Sequence, residues 1–125
     1  MSKAYETPFT TEEKQFLYSK LYKFNELHGC HIWYGATDSD GYGIIRPTFR
    51  LKRQIFTVHR LMYYLENDCH FHNISYHVSH LCHYKKCMNI QHLSLEPGEI
   101  NVQRNSCRQS KTCCGHDGFK NCIFR

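Results

Sequence analysis

Ser79-His80-Leu81-Cys82, with Cys87, His92 and Asn101 behind it, carries the strongest pattern in this chain. Cys82-x4-Cys87-x4-His92 places three zinc-type donors around one loop, and zinc in a closed structural site takes four, arranged tetrahedrally. The fourth has to come from elsewhere. Cys30 is the expected donor, because it opens a predicted strand and its ligation would pin the N-terminal sheet to the loop. A second cluster follows in Cys107, Cys113, Cys114, His116 and Cys122. Four of these five make another tetrahedral site. Cys113 and Cys114 are alternatives, since neighbouring side chains rarely ligate one ion together. The tight Cys114-Gly115-His116 spacing makes Cys114 the expected ligand, which leaves Cys69 and Cys113 as free thiols.

Composition supports metal over disulfides. At 125 residues and 41% hydrophobic content the chain reads as one ordinary globular domain, but its eight cysteines and ten histidines are not ordinary. Met1-Ser2-Lys3-Ala4 opens no apolar leader, and no run approaches the roughly 18 apolar residues of a membrane span. The expectation is therefore an intracellular protein, cytoplasmic or nuclear, with no membrane partner. Thiols in a reducing compartment serve as metal ligands more readily than as disulfides. Energetics point the same way. Ordering the chain costs on the order of 150–200 kcal/mol, and residues 101–125 hold few apolar side chains to offset their share. A structural zinc contributes roughly 10–16 kcal/mol in small peptides.

The formal net charge is +5, and six of the eleven acids precede Gly41. From Gly41 to Leu65 there is none, while Arg46, Arg50, Lys52, Arg53 and Arg60 lie within that stretch. Cys69 to Leu95 is again free of acids and adds Lys85 and Lys86. Two zinc ions with three thiolates each would lower the net charge to roughly +3. A basic middle of this kind is the footprint of a nucleic-acid partner.

Thr10 and Glu13 have capping-box spacing, and Phe16, Leu17, Leu21, Phe24 and Leu27 recur at helical intervals, so the pattern predicts a helix over residues 11–27 that stops near Gly29. Strands are expected at 31–34, 43–46, 53–59 and 73–80, a turn at 38–41, a short helix at 60–65, an extended piece at 93–96 and a helix over 99–106. Neither a repeat nor a low-complexity linker interrupts them.

Ser79-His80-Leu81-Cys82-His83, Cys87, His92-Leu93, Asn101-x-x-Arg104-Asn105-x-Cys107 and Cys114-x-His116 together resemble the His-Me finger, or ββα-metal, endonucleases. Among these they are most similar to the zinc-bearing His-Cys box homing endonucleases. The similarity runs from about Cys30 to Cys122 and is densest after Ser79. It implies a small α+β, zinc-stabilised ββα-metal fold with an N-terminal helix and a short antiparallel sheet. The single domain would divide into a helical segment (1–28), a sheet with a short helix (30–65), the ββα-metal motif (73–106) and a second zinc site (107–125). The resemblance further implies that His80 is a general base and that Asn101 binds a catalytic Mg²⁺. Structural Zn²⁺ would sit at Cys30, Cys82, Cys87 and His92, and again at Cys107, Cys114, His116 and Cys122. An arginine of the central sheet, Arg46 or Arg50, would act at the phosphate. DNA is the implied partner, and a homodimer the implied assembly. The homing enzymes, however, have a larger DNA-reading sheet and a longer C-terminal extension that supports dimerisation.

The chemistry suits these residue types. Histidine, with a reference pKa of about 6.5, is largely neutral at pH 7 and can take a proton from water. A carboxamide oxygen is a hard donor for Mg²⁺, and an arginine neutralises charge building on a phosphate. Hydrolysis would leave 5′-phosphate and 3′-hydroxyl ends. The rival reading is a zinc-stabilised nucleic-acid-binding module that does not cut, which would need neither His80 nor Asn101. A zinc domain for protein interaction is a third.

Overall fold

The computed structural model describes residues 9–67 and 76–124. The Thr10 hydroxyl accepts from the Glu13 amide at 3.1 Å, and Glu13 Oε1 accepts from the Thr10 amide at 2.9 Å. This reciprocal cap starts α1, Thr11–Tyr18. The helix expected as far as residue 27 ends there. Phe24–Leu27 is instead strand β1, paired antiparallel with β2, Cys30–Trp33, from Phe24↔Trp33 to Leu27↔Cys30. The connecting turn decides this. His28 (φ 51°) and Gly29 (φ 81°) both take the left-handed conformation of a two-residue hairpin, whose twist matches that of the flanking strands. Leu17 and Leu21 keep the burial their spacing promised; Phe24 and Leu27 belong to the strand.

Two nested hairpins follow. The outer one pairs β3, Ile44–Ile45, with β6, Phe56–Thr57; the inner one pairs β4, Thr48–Phe49, with β5, Lys52–Arg53. The strand expected over 53–59 is thus split. Its last two residues, Val58 and His59, open helix α2, Val58–Glu66, which buries Val58, Leu61 and Leu65 along one stripe. The Trp33 indole is gripped between backbones: a Cβ added at Gly35 or at Gly43 would stand 2.5 Å from the ring. Its Nε1 donates to the Ala36 carbonyl at 2.9 Å. Around Trp33, the side chains of Leu17, Phe49, Phe56, Leu61 and Met88 form the main apolar core.

The remainder is a ββα unit: β7, Tyr76–His80, a loop closed by one 3₁₀ turn, β8, Leu93–Pro97, and α3, Gly98–Ser110. β7 and β8 pair antiparallel from Tyr76↔Pro97 to His80↔Leu93. The loop between them runs along the free edge of β2, with Trp33 N to Lys86 O and Met88 N to His31 O both at 2.8 Å. The C-terminal tail returns to the same place, Ile123 N donating to Leu81 O at 2.8 Å. α3 is longer than expected and ends beyond Cys107. The expected strand at 73–80 is described only from Tyr76; residues 73–75, and with them Cys69, His70 and His72, lie outside the described residues. Three helices and short antiparallel sheets among the described residues make the expected α+β fold. None of these helices is long and apolar enough to cross a membrane.

Candidate functional site

Cys30 heads β2, Cys82 and Cys87 lie in the loop after β7, and His92 ends the 3₁₀ turn. Their donor atoms all fall within 4.8 Å of one another. Zinc bonds of about 2.3 Å to sulfur and 2.0–2.1 Å to nitrogen at a tetrahedral angle would put sulfur and nitrogen about 3.6 Å apart. His92 Nδ1 lies 3.5 Å from Cys30 Sγ and 3.6 Å from Cys87 Sγ. The donor set fits the ion. Cys30 and Cys87 are fully buried, so the cluster also serves as a small core where the β1–β2 hairpin meets the ββα unit.

The second cluster corrects the expected ligand set. It contains Cys107, Cys113, His116 and Cys122, not Cys114. His116 Nε2 stands 3.6 Å from both Cys107 Sγ and Cys122 Sγ. Its Nδ1 donates to Gln103 Oε1 at 2.9 Å, which leaves Nε2 as the ligating nitrogen. Cys113 Sγ is half-buried and accepts from the Cys122 amide at 3.2 Å, whereas Cys114 is exposed. Gly115 (φ 89°) turns the chain back after Cys114 and brings His116 in, so the short Cys114–His116 spacing does not converge on one ion.

Between the two clusters, His80 ends β7 and Asn101 sits in the first turn of α3. Both line one cleft of about 80 Å³, together with Tyr42, His83, Lys85 and Arg108. His80 Nε2 is 3.0 Å from the Cys87 carbonyl. A carbonyl only accepts, so that nitrogen carries the hydrogen and the neutral ring keeps its lone pair on Nδ1. Burial, with a contribution from His83, outweighs the Cys87 hydrogen bond and lowers the His80 pKa to about 4. His80 packs 4.2 Å from the His59 ring, and Tyr42 stacks on both imidazoles at 6.0 and 5.4 Å. His59, bound through Nε2 to the Val78 carbonyl at 3.2 Å, is pushed well below the usual histidine range by burial first and by His80 and Arg60 after it. Asn101 Nδ2 donates to Ser79 Oγ at 2.7 Å, which leaves Oδ1 for the cleft.

The two arginines expected at the phosphate are not brought to this cleft. Arg50 forks onto Glu13, with Nε–Oε2 and Nη2–Oε1 both 2.8 Å, and lies over the Phe9 and Phe49 rings. That guanidinium holds the Glu13 carboxyl down at about 2. Arg46 lines a separate groove with Lys20, Lys23 and Trp33. Arg108 of α3 lines the cleft of His80 and Asn101, and Arg60 of α2 comes close beside it. Arg60 lines a cleft of about 200 Å³ adjoining the first, shared with Asn101, His59 and Asp38, and its buried Nε has no hydrogen-bond partner among the described residues. The sequence placed Arg60 only within a basic stretch; its position one residue after the inward-facing His59 was the available signal.

A family model described as the zinc-binding loop region of homing endonuclease matches residues 30–123. No curated protein and no solved structure matches the chain. The matched segment begins at the first cysteine of one cluster and ends just past the last of the other, and on that span the chain belongs to the family of homing-endonuclease zinc-binding loop regions.

Proposed function

We propose that this chain is a DNA endonuclease of the His-Me finger type, one domain over residues 1–125, that hydrolyses a phosphodiester with His80 as general base and a divalent cation at Asn101. One observation carries the reading. An imidazole with its N–H committed to backbone and its lone pair free shares a cleft with an amide whose nitrogen is committed and whose oxygen is free. A module that only binds nucleic acid requires neither arrangement.

In this reading water gives its proton to His80 Nδ1 as its oxygen bonds to phosphorus. The bond from phosphorus to the 3′ oxygen breaks, and that oxygen takes a proton from solvent, leaving 5′-phosphate and 3′-hydroxyl ends. Asn101 Oδ1 is a hard donor, and Mg²⁺ is commonly held by few protein ligands with waters and phosphate oxygens filling its other positions. What such a cation supplies is charge stabilisation at the leaving oxygen. Arg60 lines the adjoining cleft beside Asn101, where its guanidinium would offset the charge of a bound phosphate, and Lys85 and Arg108 add a positive lining.

The test is nicking of supercoiled plasmid by zinc-loaded protein with and without Mg²⁺. Salt-sensitive binding without cutting would replace the enzyme by a binding module, and no binding at low salt would favour a protein-interaction domain. Arg60→Ala is expected to slow nicking at least about tenfold. Arg50→Ala is expected to leave the nicking rate of folded protein within about twofold, while lowering stability by roughly 1–2 kcal/mol in thermal melts, through loss of its fork with Glu13.

A further inference from the structure

Arg104 and Glu96 form a buried fork, with Nε–Oε1 at 2.6 Å and Nη2–Oε2 at 2.9 Å; their side chains are 3% and 0% exposed. Burying an ion pair costs about as much as the pair returns, so its presence asks for a purpose other than stability. The remaining donors of Arg104 reach into the loop of the second cluster. Nη1 donates to Cys122 Sγ at 3.3 Å and Nη2 to the Lys120 carbonyl at 2.8 Å. The β7–β8 register sets Ser79 opposite Ser94, on the sheet face that also carries Glu96, and a hydrogen bond from the Ser79 hydroxyl is among the influences that hold the Glu96 carboxyl down. Ser79 is itself 2% exposed and accepts from Asn101 Nδ2.

The direction of these bonds matters more than their number. An ionised carboxylate only accepts, so the Ser79 hydroxyl has to give its hydrogen to Glu96. Its oxygen then offers Asn101 lone pairs alone, which a carboxamide can meet only with its nitrogen. Were the serine hydrogen free to turn, the amide could flip and present N–H groups to the cleft, which would repel a cation. We propose that Ser79, fixed by the buried Glu96–Arg104 pair, is a positioning residue that selects the oxygen face of the Asn101 amide and ties that amide to the second metal centre. This deepens the nuclease reading and rests on it for its consequence, but not for the orientation itself.

The experiment uses the full zinc-loaded chain with two readouts. The Asn101 side-chain amide is followed by NMR, assigned by its disappearance in Asn101→Asp, and the Mg²⁺ concentration giving half-maximal nicking is measured. In Ser79→Ala the Nδ2 protons are expected to exchange with water at least about tenfold faster than in the wild type, having lost their acceptor. The Mg²⁺ requirement is expected to rise about 10- to 100-fold, the range seen when an outer partner of a metal ligand is removed. Ser79→Thr, which restores a hydroxyl, is expected to bring both readouts back to within about threefold of the wild type. Identical Asn101 resonances in the wild type and Ser79→Ala overturn the orientation, whether or not the protein cuts DNA. An unchanged Mg²⁺ requirement in a Ser79→Ala protein that still cuts, or a threonine variant as demanding as the alanine one, overturns the positioning role. A wild type that shows the Asn101 signature and never cuts overturns the nuclease reading instead.

Discussion

Replacing His80 with alanine is expected to lower the rate of Mg²⁺-dependent plasmid nicking by at least about a hundredfold, the usual loss on removing a general base. The zinc content should not change. His80 lies two residues before Cys82 but contributes no donor atom to either cluster. Its direct hold on the first cluster is the 3.0 Å bond to the Cys87 carbonyl. Losing that bond leaves a carbonyl wanting a donor and costs about 1 kcal/mol. Stability and activity should therefore separate, with a small fall in melting temperature beside a large fall in rate. Nicking at the wild-type rate by His80→Ala, measured on protein that keeps both zinc ions, would reject the mechanism. A loss of rate in step with a loss of zinc would show instead that the residue holds the loop rather than acting on DNA.

Cys113→Ser is expected to reduce bound zinc from two ions to one per chain, because one of the two four-donor clusters loses a thiolate. Cys114→Ser should keep both ions and melt within about 2 °C of the wild type, as surface substitutions generally do. The pair of variants is decisive because the two cysteines are neighbours with opposite exposures. The magnitude follows from what else holds the segment. Beyond α3 the buried side chain is His116, itself a ligand, and the tail offers little apolar surface. A structural zinc contributes roughly 10–16 kcal/mol in small peptides, so losing it exceeds the whole margin of an ordinary domain. Titration with a zinc chelator should reproduce the effect, with a loss of ordered signal after Ser110. Zinc counts that fall in Cys114→Ser and not in Cys113→Ser would restore the ligand set suggested by spacing.

What the sequence made legible depended on the range of the interactions involved. The order of ligands and the capping box at Thr10 are local patterns, and α1, the ββα unit and the first cluster all follow them. Even the choice of Cys30, distant in sequence, was readable because a tetrahedron lacking one corner demands a donor. Boundaries failed where tertiary contacts overrode periodicity. Phe24 and Leu27 continue the helical spacing of Leu17 and Leu21, yet a left-handed pair at His28 and Gly29 folds them back as a strand. Spacing to His116 favours Cys114, whereas the folded chain sets the Cys113 sulfur against the Cys122 amide and leaves Cys114 exposed. Arginine assignment fared worst. Nothing in the order of residues reveals that Glu13 would occupy Arg50, or that α2 would deliver Arg60 beside Asn101.

The two clusters also differ in how far their ligands lie apart along the chain, and this sets an order of assembly. Cys107 to Cys122 is a short span that can close while everything before it is still unfolded. Cys30 has to find a loop roughly fifty residues away, and the entropy of bringing such distant ends together delays that contact. Refolding the apo chain in the presence of zinc should therefore show two phases of metal uptake, a fast one at the C-terminal end and a slower one that coincides with burial of Trp33, whose fluorescence would report it.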